Sequence, residues 1–404
     1  MKTTRTFPLA AVTKKAERSI KSGHPWVYDA EILSCASDIE NGAIVDVFSE
    51  NKNTYLGTGF YSEKSKIRVR LLTDNANETF SDSFFERRIK YAVEYRKTVM
   101  KDDFSCCRLV FGEADGIPGL TVDRYGDILV SQVLSYGTEI RKGIIYAALI
   151  KVLSDMGEKI SGIYERNDVA IRKLEGLDEY KGWYGNDHPD STKTTIVENG
   201  IKYEVDFENG QKTGFFLDQK YNRAAISHIA AGRNVLDCFT HTGSFALNAA
   251  RGGANHVTAV DISETALAQA RSNADLNGLK DKIDFVCADV FDLLSGGTDK
   301  KYDFIILDPP AFTKSRKTVG NAERGYKEIN YRAMTLLPRG GYLATCSCSH
   351  FMKEEIFEKM LHDAAHDAKV QLKQVEQRRQ SPDHPILWNV PETDYLKFYI
   401  FQVI

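Results

Sequence analysis

Polar and apolar residues alternate in three short runs near the start of the chain, "GAIVDVF", "TYLGTGFY" and "KIRVRLL", separated by Gly, Asn and Ser clusters. A period of two predicts half-buried strands, and their short, broken spacing predicts a small β-barrel over residues 1–75. In the third run Lys66, Arg68 and Arg70 share one face, and Ile67, Val69 and Leu71 share the other. "TDNANETFSDS" then reads as a linker. A helix follows at "SFFERRIKYAVEYRKTVM", where Ser83 and Glu86 have capping-box spacing. "LTVDRYGDILVSQVL" and "GIYERN" read as strands around a second helix, "EIRKGIIYAALIKVLSDM", so residues 76–190 form an α+β unit that ends near the turn-rich "YGNDHPDSTKT".

The period changes again in residues 191–404. "RNVLDCFTHTG", "HVTAVDIS", "KIDFVCAD", "YDFIILDPP" and "GGYLATCS" are strand-like runs. Between them lie helical segments such as "SFALNAARGG" and "SETALAQARSNADLNG", the latter with Leu267, Ala270 and Ala274 on one face. Such alternation predicts a parallel sheet covered by helices, with its ligand crevice at the carboxyl ends of the strands. The expected fold is thus a multidomain α/β chain whose last part is Rossmann-like.

Composition narrows the function. With 404 residues, two or three domains are expected. Seven scattered cysteines argue against a disulfide framework and for reduced thiols in the cytoplasm. "MKTTRTFPLAAVTKKAERS" has no apolar h-region, and no stretch is long and apolar enough to cross a bilayer. A net charge of −3 excludes a globally basic nucleic-acid binder. Local positive charge does exist: Arg5, Lys14, Lys15, Arg18 and Lys21 join Lys66, Arg68 and Arg70, either as a phosphate-contacting surface or as a solvated strand face.

Candidate chemistry collects at the strand ends. Asp237 and Gly243 close the first strand of the third segment, Asp261 the second, Asp289 the third, Asp308 the fourth, and Cys346 with Cys348 the fifth. Ionised carboxylates are seldom buried without partners, so four at successive strand ends point to a ligand. The turn "DCFTHTGSF" lacks the three-glycine pyrophosphate fingerprint, while Asp261, about twenty residues on, suits a ribose diol. A nucleoside without a pyrophosphate, such as S-adenosylmethionine, fits both features. In "TCSCSH" the two cysteines and His350 leave packing, redox chemistry, metal ligation and nucleophilic attack open. Zinc is disfavoured, because no second closely spaced ligand pair exists to complete four ligands.

The ordered set D-x-F-x-x-x-G, "VDIS", "CADVFDLL" and "DPPAF" resembles the class I methyltransferases. That resemblance implies that Asp237, Phe239 and Gly243 belong to the first cofactor motif. It makes Asp261, followed by Ile262, the ribose ligand, puts Asp289 beside the adenine amine, and starts the substrate motif at Asp308. "NGQKTGFFLDQKYNR" resembles the lead-in of a narrower group in which Phe216, Asp218, Gln219 and Arg223 flank the cofactor pocket. That group is the RlmI-like family of bacterial 23S rRNA (cytosine-C5) methyltransferases. "AERSIKSGHPWVY" and "LGTGFYSEKSKIRVRLL" are similar to its N-terminal PUA domain, "GEADGIPGLTVDRYGD" and "YERNDVAIRKLEGL" to its central domain, and "TCSCSHFM" and "RRQSPDHPI" to its C-terminal signatures.

The resemblance implies S-adenosylmethionine as cofactor, 23S rRNA as partner and a homodimer. Cytosine C5 is a poor nucleophile until a thiolate adds at C6, so the chemistry needs a cysteine and a proton-handling group at the crevice. Cys348 matches the family's T-x-S-C-S pattern, and Asp308 is the expected proton handler. An extended strand would still put Cys346 on the same face, so the residues alone leave both thiols open. Lys314 and Arg316 in "TKSRKT", with Arg324 and Lys327, are expected to hold the RNA backbone and favour the thiolate. Where many RNA cytosine-C5 methyltransferases carry a second cysteine, this chain has Ala311. Methylation of an exocyclic amine is the first alternative, weakened because the aromatic of D-P-P-[FY] is displaced to Phe312. A non-catalytic RNA-binding protein is the second.

Overall fold

The structure, a computed structural model, describes residues 5–296, 301–313 and 315–404. The chain divides into two compact units: Met1–Thr194 with Val205–Leu217 and Pro382–Pro391, and Thr195–Glu204 with Asp218–Ser381 and Glu392–Ile404.

The first unit contains two sheets. The alternating runs form Ile44–Phe48, Tyr55–Tyr61 and Ile67–Thr73, at the centre of a six-stranded sheet with Leu9–Val12, Trp26–Tyr28 and Ile32–Cys35. Trp26–Tyr28 and Ile32–Cys35 stand at opposite ends of the strand order, yet only the 3-10 turn Asp29–Glu31 joins them. So short a link between the two edges requires the sheet to curl round on itself, as in a barrel. Val12, Val27, Val45, Val47, Leu56 and Val69 fill its interior. The basic stretch after Leu9–Val12 forms a helix, Lys14–Lys21, that the strand pattern did not predict. Thr13 caps it, and Ala16 and Ile20 are its buried side.

The second sheet runs Tyr180–Trp183, Gly162–Asn167, Ile128–Val133, Leu120–Tyr125, Cys106–Phe111. Helix Asp82–Met100 begins one residue before Ser83, so the expected capping box does not form. Ser81 occupies the cap position and Glu86 instead pairs with Lys151. The second expected helix forms as Lys142–Asp155, with a short helical turn, Tyr136–Glu139, ahead of it.

The second unit is built on seven strands: β1 (Asn234–Cys238), β2 (His256–Asp261), β3 (Ile283–Cys287), β4 (Phe304–Leu307), β5 (Tyr342–Ser347), β6 (Leu372–Arg378) and β7 (Lys397–Val403). Their order is β3-β2-β1-β4-β5-β7-β6. β1 to β5 are parallel, and β7 runs antiparallel between β5 and β6. The five parallel strands are those predicted; β6 and β7 were not. Apolar side chains of β1, β4 and β5 pack with Tyr326, Ile329 and Met334 of helix Val319–Leu336 and with Phe357 and Met360 of helix Glu354–Asp367. The order reverses between β1 and β4, and the crevice of a doubly wound sheet opens there.

Candidate active site

Asp237 is the last residue but one of β1, and its carboxyl group is fully buried. Its Oδ2 accepts hydrogen bonds from Thr240 Oγ1 and, at 2.9 Å, from the Ala246 amide, while its Oδ1 has no hydrogen-bond partner among the described residues. Burial, with Asp308 and Asp261 nearby, pushes this carboxyl up to about 7 against the hydrogen bonds that favour its charge. In the turn that follows, Phe239 (φ 63°), His241 (φ 49°) and Gly243 (φ 79°) are all left-handed. A Cβ on Gly243 would lie 2.9 Å from Cβ of Ala270, so φ and helix packing both require glycine there. Asp261, at the end of β2, holds the turn in shape. Its Oδ2 accepts from the His241 amide at 2.8 Å and its Oδ1 from the Ser263 amide at 2.9 Å. Beside it Ile262 is 70% exposed. Asp289, after β3, is exposed and accepts the Phe291 amide at 2.7 Å. An unpartnered buried carboxylate oxygen, an open apolar side chain and an exposed carboxylate together suit a nucleoside with polar edges and a flat apolar ring.

A second cluster lies on β4 and β5. Leu307 pairs with Thr345 in parallel register, which sets Asp308 beside Cys346. The buried Cys346 thiol donates to Asp308 Oδ1 at 2.9 Å, and Gln219 Nε2 donates to the same oxygen at 3.3 Å. Burial pushes Asp308 up to about 6, although the Cys346 bond opposes the shift. Burial, reinforced by Asp308, drives the Cys346 thiol well above the ordinary thiol range. Cys346 is therefore a neutral donor near neutral pH, not a thiolate.

Strand pairing stops at Ser347, and Cys348 stands just beyond it, half-buried. The serines on either side are anchored. Ser347 Oγ donates to Tyr326 Oη at 3.0 Å, and Ser349 Oγ donates to the Thr313 carbonyl at 3.0 Å. The two thiols that an extended strand would place together thus meet different surroundings.

Of the expected pocket residues, Gln219 faces Asp308 as described, and Asp218 Oδ2 accepts from Tyr395 Oη at 2.7 Å. Arg223 makes a buried two-pronged ion pair with Glu198 at 2.6 and 2.8 Å, which anchors helix Lys220–Ala230. Phe216 belongs to the first unit, with the Lys212 ammonium 4.6 Å from its ring centre. Lys397, absent from the sequence reading, opens β7 and donates to the Ser349 carbonyl at 2.8 Å. The only signal for it was a lysine heading the apolar run "KFYIFQV".

The basic residues of the first unit divide into two sets. Arg5 binds Asp46 at 2.7 and 2.8 Å, and Arg70 bridges Glu113 at 3.1 Å and Glu175 at 2.9 Å in the interior. These two hold the fold together. Arg68 pairs with Asp29 at 2.6 Å. Lys14, Lys15, Arg18 and Lys66 are exposed, Lys15 within 3.0 Å of Glu31. Lys327 pairs with Asp367 at 2.7 Å and Arg324 with Asn321. Lys314 and the side chain of Arg316 lie outside the described residues. Among the described residues, no group of three or more His, Cys, Asp or Glu is placed to hold a metal, and no helix is long and apolar enough to cross a membrane.

Residues 178–401 match the family model of S-adenosylmethionine-dependent methyltransferases, and residues 11–74 match that of PUA-like domains. The chain is 40% identical, over 98% of its length and 99% of the relative, to ribosomal RNA large subunit methyltransferase I of Klebsiella pneumoniae. It is 42% identical to the protein of that name from Aeromonas salmonicida, over 96% and 97% of the two chains. The chain belongs to the ribosomal RNA large subunit methyltransferase I family. Members of this family are S-adenosylmethionine-dependent, so S-adenosylmethionine is the cofactor. A solved structure described as a methyltransferase complexed with SAH shares the fold over 98% of this chain and 99% of that one, at 24% identity and a TM-score of 0.82. A Streptococcus mutans structure described as SAM-dependent aligns over the same shares with a TM-score of 0.81.

Proposed function

We propose that this chain methylates C5 of a cytosine in the 23S RNA of the large ribosomal subunit, through an adduct between Cys348 and cytosine C6. The observation that carries the reading is the contrast between the two thiols: Cys346 is buried and bonded to Asp308, and Cys348 stands past the strand end, half-exposed and flanked by anchored serines. When bound, S-adenosylmethionine supplies an electrophilic methyl group. Phe239, Gly243 and Asp261 shape its cradle, Asp237, Ile262 and Asp289 line the rim, and Asp218 and Gln219 border it. Arg223, through Glu198, supports the segment that leads in.

The Cys348 thiolate adds to C6, which makes C5 a nucleophile able to take the methyl group. Asp308 then accepts the C5 proton, and loss of the Cys348–C6 bond restores the thiolate and the aromatic ring. A carboxyl held at about 6 remains ionised at neutral pH and is a stronger base than an ordinary aspartate. Lys14, Lys15, Arg18 and Lys66 support RNA-backbone contact by the PUA-like domain, and Lys314 and Arg316 are proposed on sequence grounds alone as further RNA contacts. All seven cysteines are free thiols, which supports a cytoplasmic setting.

The test is a covalent trap. RNA carrying 5-fluorocytosine cannot lose fluorine from C5, so the adduct persists on a denaturing gel. A shifted band that survives Cys346→Ala and disappears in Cys348→Ala is expected. Methyl transfer without any band, retained in Cys348→Ala, would replace this reading with amine methylation.

A further inference from the structure

Lys397 is a lysine where lysines are rarely found. Its side chain is buried, 4% exposed overall, at the first position of β7, directly opposite Ser347 in the antiparallel register with β5. Its ammonium donates to the carbonyl of Ser349 at 2.8 Å and to that of Tyr395 at 3.0 Å. The lysine therefore pairs with the residue before Cys348 and bonds to the residue after it. Among the described residues, its third N–H has no partner. Two carbonyls do not balance a buried positive charge, which calls for an anion in reach.

Asp394, Cys348 and Glu354 favour the charged ammonium electrostatically, and Arg379 opposes it. Arg379 bridges Asp394 and, at 2.6 Å, Glu354, so two carboxylates share one guanidinium and Lys397 supplies the second positive charge of the cluster. Within this cluster Cys348, whose two chain neighbours are the residue opposite Lys397 and the residue whose carbonyl holds the ammonium, is the group that must gain a negative charge in the reaction. Burial pushes Lys397 down to about 8, so its ammonium persists near neutral pH and is lost in mild alkali.

We propose that Lys397 is a positioning residue that stabilises the Cys348 thiolate. The idea rests on the reading of Cys348 as the nucleophile, and it gives that thiol a cation drawn from β7. The thiol proton leaves to solvent, and the sulfur anion stays paired with the ammonium until it attacks carbon.

Alkylation tests this without RNA. Iodoacetamide forms a carbon–sulfur bond and releases iodide only from the thiolate, and peptide mass mapping separates Cys348 from the buried Cys346. Lys397→Gln keeps donors for the Ser349 and Tyr395 carbonyls but removes the charge, whereas Lys397→Arg keeps the charge. An opposite charge within reach shifts a midpoint by about 1 to 3 pH units. The Cys348 alkylation midpoint is therefore expected to rise by that amount in Lys397→Gln and to stay near wild type in Lys397→Arg. An unmoved midpoint in folded Lys397→Gln overturns the proposal. Should that variant not fold, a midpoint in Lys397→Arg raised by a unit or more does the same. A 5-fluorocytosine band alongside an unmoved midpoint would sink the role of Lys397 alone; a shifted midpoint with no band would leave the ion pair standing and sink the cytosine chemistry.

Discussion

The Cys346 thiol donates to Asp308 Oδ1 across 2.9 Å, on two strands whose parallel register sets Leu307 against Thr345. A hydrogen bond to a charged acceptor contributes about 1.5 to 3 kcal/mol. In Cys346→Ala, Asp308 loses that donor and keeps Gln219 on the same oxygen, so its carboxyl rises further. Turnover should fall roughly tenfold to a hundredfold, with the 5-fluorocytosine adduct still formed. Cys346→Ser retains a donor and should recover most of the rate. Complete loss of the adduct in Cys346→Ala would make Cys346 the nucleophile instead.

A second prediction concerns pH. Asp237 is raised to about 7 by burial, so the folded chain holds this proton through a range where the unfolded chain has already lost it. The stability it contributes is full below the ordinary carboxyl range and is lost as pH rises through about 7. Asp237→Asn, neutral at every pH, should therefore gain in melting temperature over wild type, by more at pH 8 than at pH 5. Cofactor affinity should move the other way. S-adenosylmethionine carries a sulfonium and an ammonium, so binding measured by calorimetry should weaken as acid neutralises Asp237, and Asp237→Asn should flatten that dependence. A wild-type affinity constant between pH 5.5 and 8 would count against an ionised Asp237 in the cofactor site.

Arg70 and Lys66 lie on the same strand run but should respond in opposite ways. Arg70→Met leaves Glu113 and Glu175 without their shared cation, and breaking such a buried pair costs about 3 to 5 kcal/mol. Lys66→Ala removes an exposed charge, so stability should change by less than about 0.5 kcal/mol. RNA affinity should behave in reverse: Lys66→Ala lowers the salt slope by about 1 if it contacts phosphate. Denaturant unfolding and binding across a salt series separate the two. A stable Arg70→Met with a reduced salt slope would return Arg70 to the RNA surface.

That contrast also shows where sequence reading ends. The strand-end placement of Asp237, Asp261 and Asp308 was legible because each stands where an apolar strand run stops, a position defined by local pattern. Arg70 was not, since its partners Glu113 and Glu175 lie 43 and 105 residues away and alternation alone turns it to the same face as Lys66. Strand geometry alone could not separate Cys346 from Cys348, which only the family pattern distinguished, because the difference arises where pairing with β7 stops. That strand is antiparallel, and neither it nor β6 was expected: "LKQVEQR" is too polar to read as a strand, and "KFYIFQV" has no period. Lys397 was invisible for the same reason, since only the β5–β7 register sets it against Ser347. The capping box failed more locally, as the helix began early enough for Ser81 to displace Ser83 from the cap.

The last prediction separates the two demands made on Gly243. Its φ of 79° is a conformation in which a side chain costs about 1 to 2 kcal/mol, and a Cβ there would also press on Ala270 at 2.9 Å. Gly243→Ala should therefore destabilise the chain beyond the backbone cost alone, and should weaken cofactor binding because the turn from Asp237 to Ser244 must shift. Ala270→Gly removes the opposing Cβ but leaves φ unchanged. In that background Gly243→Ala should cost only the backbone share, so the two substitutions should show a favourable coupling in a double-mutant cycle of unfolding free energies. Strict additivity would mean that the turn yields elsewhere, and that helix packing against Ala270 is not what requires glycine at the start of Ser244–Arg251.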